Sequence, residues 1–460
     1  MTRIPAALVA ILLCLAAVAS HAQVPAPEGP VPEAPTPPAV SLPPEAQPVV
    51  PTDRPLTLAE AIDVALARQP LLEVARQGLQ AAKGRTEQTR SAYFPGITLG
   101  TGAQRSFTTG TALVGGVPVP GAARRYSTQY DRSLSVRQLV YDFGRTDDAN
   151  RAARRNEDAA SYDLSGTRAD IITQVKQAYY AALQALQLQQ VSQANLDSQL
   201  GHLDMASAQF AAEAAARADV VKARAAVSQA VLDLTTAQNN VAIARVQLNQ
   251  LLGIDVRTPV QLADEQEAPP ATQDANALVA QGLEMRPEVR SARSRLRASQ
   301  ALRSQAEAGW LPGISASGSL GQRGSDFPPM DEFWGASVSF DWSPVTFGQV
   351  RGAIREARAN TAAARANLYD TEQLVATEIV GATLDLRAAE QRLQTAQAQV
   401  DDAQESLNLA TGRYQAGVAI FLEVLDAQAV LTTAQTELVN ARFDVSLSRA
   451  ALLRAIGGLP

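Results

Sequence analysis

Ser91-Ala-Tyr-Phe-Pro-Gly-Ile97 returns 217 residues later as Ala308-Gly-Trp-Leu-Pro-Gly-Ile314, and Gln69-Pro70 returns as Arg286-Pro287 at the same shift. Further along the shift is 204. Phe143-Gly144 recurs as Phe347-Gly348, Phe210 as Tyr414, Asp219 as Glu423 and Gly253 as Gly457. A fixed period with one change of register marks a duplicated structural unit. The change falls between Ile97 and Phe143, so the first copy is longer there by 13 residues (217 − 204). The Gly- and Pro-bearing stretch 110–125 reads as the insertion, a longer loop.

Each copy reads helix, strand, strand, long helix, helix. In the first, 57–94 is helical, 97–107 and 128–140 are strands, and 144–210 and 219–252 are helices. In the second, helix 274–311 precedes strands 314–320 and 334–342 and helices 348–413 and 423–456. The repeats span 56–255, with a β-hairpin at 97–140, and 274–460, with one at 314–342; residues 256–273 link them. At 1.5 Å per residue, helix 144–210 is about 100 Å long, and its two shorter partners, about 57 and 51 Å, match it end to end. The expected fold is mostly α with a small β part: long antiparallel coiled-coil helices plus four transmembrane strands per chain.

Strand 334–342 shows why the strands are read as transmembrane. Trp334, Ala336, Val338, Phe340 and Trp342 alternate with Gly335, Ser337, Ser339 and Asp341, so one face is apolar and the other small and polar. Such a face rests on a core in a soluble sheet and meets lipid in a barrel, where about nine residues cross. The aromatics decide between these. Tyr93, Phe94, Tyr141, Phe143, Trp310, Trp334, Trp342 and Phe347 gather around strand ends, as interfacial girdles do. Four strands cannot close a barrel, and unpaired edges are costly in hydrocarbon, so the chain must oligomerise. Two subunits give eight strands and a filled interior. Three give twelve and room for a lumen, which the small polar face favours.

The helices carry heptads. Val220, Val227, Leu234, Val241 and Leu248 match Val424, Leu431, Leu438, Val445 and Leu452, each displaced by 204. A sustained seven-residue repeat means a left-handed coiled-coil seam. The intervening positions are taken as Arg224, Val231, Gln238, Arg245 and Leu252, a half-polar set suited to a wall with one wet side.

Residues 1–22 read as a cleaved signal peptide. Arg3 precedes an apolar run too short to span a membrane, and Ser20-His21-Ala22 offers a small-residue cleavage site. A lipid anchor on Cys14 would need a small residue before it, and Leu13 stands there. Residues 23–55 form a Pro-rich linker that cannot bury enough surface to order itself. Removal of 1–22 leaves His202 as the one histidine and no thiol, which excludes disulfides, thiolate nucleophiles, His-based triads and His/Cys metal sites. His202 reads as a solvated helix-face residue. The net charge of −6 gives no footprint for nucleic acid. No G-x-S-x-G motif, phosphate loop or metal-ligand cluster is present, so no catalytic residue, cofactor or metal is expected and an envelope enzyme is disfavoured. A structural or adhesive coiled coil with a small barrel anchor remains the alternative, against which the duplicated hairpins argue.

The duplicated plan, with Gln138-Leu-Val-Tyr-Asp-Phe-Gly144 entering a long helix and Arg413-Tyr-Gln-Ala-Gly-Val-Ala-Ile-Phe-Leu-Glu-Val-Leu-Asp-Ala-Gln428 near the end, resembles the TolC-type outer membrane factors over nearly the whole mature chain. The resemblance implies a homotrimer with a 12-stranded outer-membrane barrel and a periplasmic α-helical tunnel. It implies an exit duct for tripartite efflux or type I secretion, docked with a periplasmic adaptor and an inner-membrane transporter. It also implies a gate at the inner helical turn. Tyr414, Gly417, Glu423 and Asp426 match the gate positions, and Asp219 matches the aspartate that pairs with the tyrosine. Glu213, Arg217 and Gly417 fall at the adaptor-docking tip. Ala419 stands where the family has an arginine, which puts the inter-helix salt bridge in question. Glu213 replaces the turn glycine, so that turn is expected to use a different backbone conformation. Three copies of Glu423 and Asp426 about a threefold axis would form an acidic ring that attracts cations. Alternatively, Asp219 and Glu423 complement a helix N-terminus, and Tyr414 is plain packing.

Overall fold

The computed structural model describes residues 54–264, 274–326 and 330–458. The signal peptide at 1–22, most of the linker at 23–55 and residues 265–273 of the second linker lie outside the described residues. Among the described residues, eight α-helices and four strands follow in chain order: α1 (Leu58–Arg68), α2 (Pro70–Arg90), β1 (Gly96–Val114), β2 (Val117–Tyr141), α3 (Arg145–Ala211), α4 (Arg217–Leu252), α5 (Ala275–Met285), α6 (Pro287–Glu307), β3 (Gly313–Gly324), β4 (Asp331–Asp341), α7 (Gln349–Gln415) and α8 (Phe421–Ala455).

Helix 57–94 is not continuous, and neither is 274–311. Each breaks before a proline, at Gln69 (ψ 119°) and at Arg286 (ψ 128°). The proline ring disfavours α geometry in the residue before it, while its fixed φ suits the first position of the next helix. α1 starts with a capping box in which Thr57 and Glu60 each accept from the other's backbone N–H.

The stretch 110–125 is not a loop either. β1 and β2 stay paired as far as Val114 and Val117, with one register shift between Gly110 and Ala112. Gly115 (φ 63°) and Gly116 (φ 84°) form the turn between them. Two successive positive φ values make the tight hairpin turn whose twist matches the strands. The insertion therefore lengthens the first hairpin beyond the second.

The sheet runs β1-β2-β3-β4, all antiparallel, leaving β1 and β4 as edges. The helices pair as antiparallel hairpins, α3 with α4 and α7 with α8, while α2 lies on α3 and α6 on α7. The two copies meet where α3 packs on α6 and on α8. The core at the junction of the short and long helices holds Val175, Tyr179, Leu248 and Leu252, and the Tyr179 hydroxyl donates to the Leu56 and Ala263 carbonyls.

The heptad residues face inward, but the positions between them are the alanines. Ala223 and Ala230 on α4 and Ala427, Ala434 and Ala441 on α8 are buried, whereas Arg224, Val231, Gln238 and Arg245 are exposed. The seam thus steps three residues after each large side chain rather than four. It alternates large residues with alanine, which lets the helices approach closely. No described helix is long and apolar enough to cross a membrane.

Candidate functional site

The helix hairpins turn at the end away from the sheet, and the two turns are copies of each other in backbone. Glu213 N–H donates to the Phe210 carbonyl and Ala214 N–H to that of Gln209. At the equivalent positions Gly417 N–H donates to Tyr414 and Val418 N–H to Arg413. Glu213 has φ 56° and Gly417 φ 72°. Both are left-handed helix ends of the Schellman type. The expected difference is absent: Glu213 adopts the glycine conformation and bears its cost of about 1 kcal/mol. Glu213→Gly is expected to raise rather than lower thermal stability, by up to about 1 kcal/mol, as read by melting of the purified protein.

Around the second turn, Tyr414 is buried with Phe421, their ring centroids 5.2 Å apart, in a cluster with Ala206, Leu407 and Val424. The Tyr414 hydroxyl has no hydrogen-bond partner among the described residues. Burial and the nearby Asp219 carboxylate both push its pKa up, so Tyr414 and Asp219 are neighbours without a hydrogen bond between them. Asp219 and Glu423 lie in the first turns of α4 and α8, where Ala216 and Ile420 at the caps offer no side-chain bond, and their charges complement the helix dipoles. Glu423 is also paired: Arg413, on the other side of the turn, reaches its carboxylate at 3.1 Å. Ala419 itself carries no charge to pair, and Arg413 supplies the ion pair seen across this turn. Asp426, Glu213 and Arg217 are exposed.

His202 is not solvated. It is buried between α3 and α8, its Nε2 3.4 Å from Gln428 Oε1, and burial lowers its pKa. Gln428 Nε2 donates to Asn195 Oδ1 at 3.3 Å, and the Thr432 hydroxyl donates to the same oxygen at 3.0 Å. Two periodicities could have signalled this network: Asn195 and His202 are seven apart, and Gln428 and Thr432 four apart.

At the opposite end, the two faces of the sheet differ in chemistry. Leu99, Leu134, Leu320 and Trp334 form one row of directly paired residues across all four strands. Leu99 is 81% exposed and Trp334 84%. On the other face the Ser315 and Ser339 hydroxyls lie 2.7 Å apart and those of Ser317 and Ser337 2.9 Å apart. Tyr93, Phe94, Tyr141, Phe143, Trp310, Trp342 and Phe347 stand at the helix-proximal strand ends, exposed. Trp334 stands near the far end of β4, about 27 Å along the strand from Trp342. Tilted strands reduce this to roughly 20 Å of height, close to the apolar band of a barrel.

The outer membrane efflux protein family matches residues 61–254 and 278–458. The chain belongs to that family. Each copy of the unit is matched, so both halves carry the family pattern. Protein CyaE of Bordetella pertussis is 29% identical over 426 residues, which cover 89% of this chain and 86% of that protein. The toluene efflux pump outer membrane protein TtgF of Pseudomonas putida is 26% identical over 405 residues, 87% of this chain and 83% of that one. Among solved structures, the outer-membrane channel OprN superposes with a TM-score of 0.77 at 24% identity, covering 90% of this chain and 95% of that one. This efflux family member resides in the outer membrane, with its helices on the periplasmic side.

Proposed function

We propose that this chain forms the trimeric exit duct of a tripartite export system, passively conducting cargo supplied by an inner-membrane transporter through a periplasmic adaptor. One observation carries the reading. α3 packs extensively on α6 and α8 of the second copy, yet the equivalent pairings of α7 with α2 and α4 are at most marginal among the described residues. A duplicated unit that satisfies half of its symmetric contacts closes by meeting another subunit. The unpartnered faces have suitable chemistry. Val221, Leu232 and Ile243 on α4 and Tyr369, Leu374 and Leu384 on α7 are exposed. The open edges of β1 and β4 call for the same partner, and three chains give twelve strands around a serine-lined interior.

In this reading, Asp219, Tyr414, Glu423 and Asp426 form the gate at the inner turns, and Glu213, Arg217 and Gly417 the tip that meets the adaptor. The eight aromatics from Tyr93 to Phe347 form the girdle. Glu423 is partly compensated by Arg413, so Asp426 supplies the larger share of any acidic ring. The Asp426→Ala variant is expected to weaken block of single-channel current by multivalent cations, Glu423→Ala less so. Unchanged block in both removes the ring. Purified protein in a planar bilayer should conduct, and its absence would leave the anchored coiled-coil scaffold. Sensitivity of a deletion strain to toxic amphiphiles, beside its secreted-protein profile, assigns the cargo.

A further inference from the structure

The first hairpin outruns the second on the membrane's far side. Above the row of Leu99, Leu134, Leu320 and Trp334, the next row on the same face is Thr101, Arg132, Gln322 and Glu332. Beyond it β4 has ended and β3 reaches only Gly324, opposite Tyr130, after which β1 and β2 continue alone. Their directly paired residues on that face are Ala103 with Tyr130, Arg105 with Thr128, and Phe107 with Tyr126. The rings of Phe107 and Tyr126 are 4.8 Å apart, and the Arg105 guanidinium lies 5.4 Å from the Tyr126 centroid. Phe107 is 50% exposed and Tyr126 66%. Between residues 100 and 132 the sequence carries Arg105, Arg124, Arg125 and Arg132 against Asp131 alone.

Height decides what this surface can meet. Successive rows are about 7 Å apart along a strand, or about 5 Å in height at barrel tilt. Arg132 therefore stands about 5 Å above the Trp334 row, within the headgroup layer, which adds about 5–7 Å per leaflet. Arg105, Phe107 and Tyr126 stand roughly 15–20 Å above it, past the reach of a phosphoglyceride headgroup. They still present the face that is lipid-directed below. Guanidinium groups pair with phosphate in two-pronged fashion, and exposed aromatic rings offer flat apolar surfaces for sugar rings.

We propose that the extended β1–β2 hairpin binds a phosphorylated glycolipid of the outer leaflet. Arg132 and Arg105 take its phosphates, while Phe107 and Tyr126 lie against its sugars. The inference rests on the lipid-facing assignment of the Trp334 face and not on transport.

The test uses the full-length protein in detergent, titrated with lipopolysaccharide, with lipid A lacking the outer sugars, and with phosphatidylglycerol. Binding is read by native mass spectrometry. Wild type is expected to hold lipopolysaccharide about tenfold or more tighter than phosphatidylglycerol, one well-formed phosphate pair's worth. The Arg105→Gln/Arg132→Gln double variant should lose that preference. Phe107→Ser/Tyr126→Ser should bind lipopolysaccharide no better than lipid A. Equal wild-type affinity for phosphatidylglycerol, or undiminished lipopolysaccharide binding in the arginine double variant, overturns the proposal. Conductance of the same preparations is expected to be unchanged by either double variant. A non-conducting wild type would count against the duct and leave the glycolipid result standing.

Discussion

Arg454→Met is expected to lower the stability of the helical part by about 1–2 kcal/mol, between the cost of losing an exposed ion pair and that of losing a buried one, because Arg454 is largely covered while Asp170 is half exposed. Arg454 closes α8 and binds across the copies. Its Nε and Nη2 donate to Asp170 on α3 at 2.9 and 2.6 Å, and Nη2 also reaches Glu288 at the start of α6. Glu288 in turn accepts from Arg286 Nε at 3.1 Å, and Arg286 pairs with Glu378 on α7. Burial alone would raise the pKa of Glu288, but the Arg454 guanidinium more than offsets it and holds the carboxyl at about 2, against its ordinary 4.5. The sign follows from linkage. A carboxyl with a depressed folded pKa stabilises above pH 4.5 and loses that contribution as pH falls toward 2. Denaturant unfolding of wild type should weaken across that window, and the Met variant should show a flatter profile there. Equal stability of the two proteins at pH 7 would show that the network contributes nothing net.

Tyr414→Ala should cost about 3 kcal/mol, in the range for emptying a buried aromatic site, and should raise the open probability of the proposed duct. Tyr414→Phe separates packing from a latch. The hydroxyl is buried without a partner among the described residues, so its removal relieves a desolvated polar group and should leave stability unchanged or improved by about 1 kcal/mol. If Tyr414 acts by filling the space beside Phe421 and Val424, the Phe variant keeps wild-type conductance and gating voltage. If a neighbouring subunit receives the hydroxyl, the Phe variant leaks like the Ala variant. Single-channel recording on all three proteins distinguishes the two.

Much of the plan was legible because duplication repeats chemistry at fixed spacing. The Pro-Gly-Ile and Phe-Gly pairs located both hairpins and both strand-to-helix junctions, where Phe143, Gly144, Phe347 and Gly348 all have positive φ. The 67-residue length of α3 and of α7 follows from the same spacing. Features set by a single side chain's neighbours were not legible. Glu213 gave no sign that it would accept a left-handed φ, because that cost is met by the two turn hydrogen bonds and not by its own chemistry. Stretch 110–125 looked like a loop by composition, yet a strand needs only a backbone partner and a turn. His202 looked solvated because its acceptor lies 226 residues away.

The amino-acid order alone determined that the chain is one unit written twice, that each unit ends in a hairpin with an apolar and a polar face, and that one chain has too few strands to seal its own edges. These follow from local periodicity and from the hydrogen bonds a backbone must make. Only the tertiary structure decided which alanines line the seam, that Arg413 pairs with Glu423 across the turn, and that Arg454 ties the two copies together. Those choices depend on the rotation of one helix against another and on charges brought together from distant segments, and no spacing within a single segment encodes them.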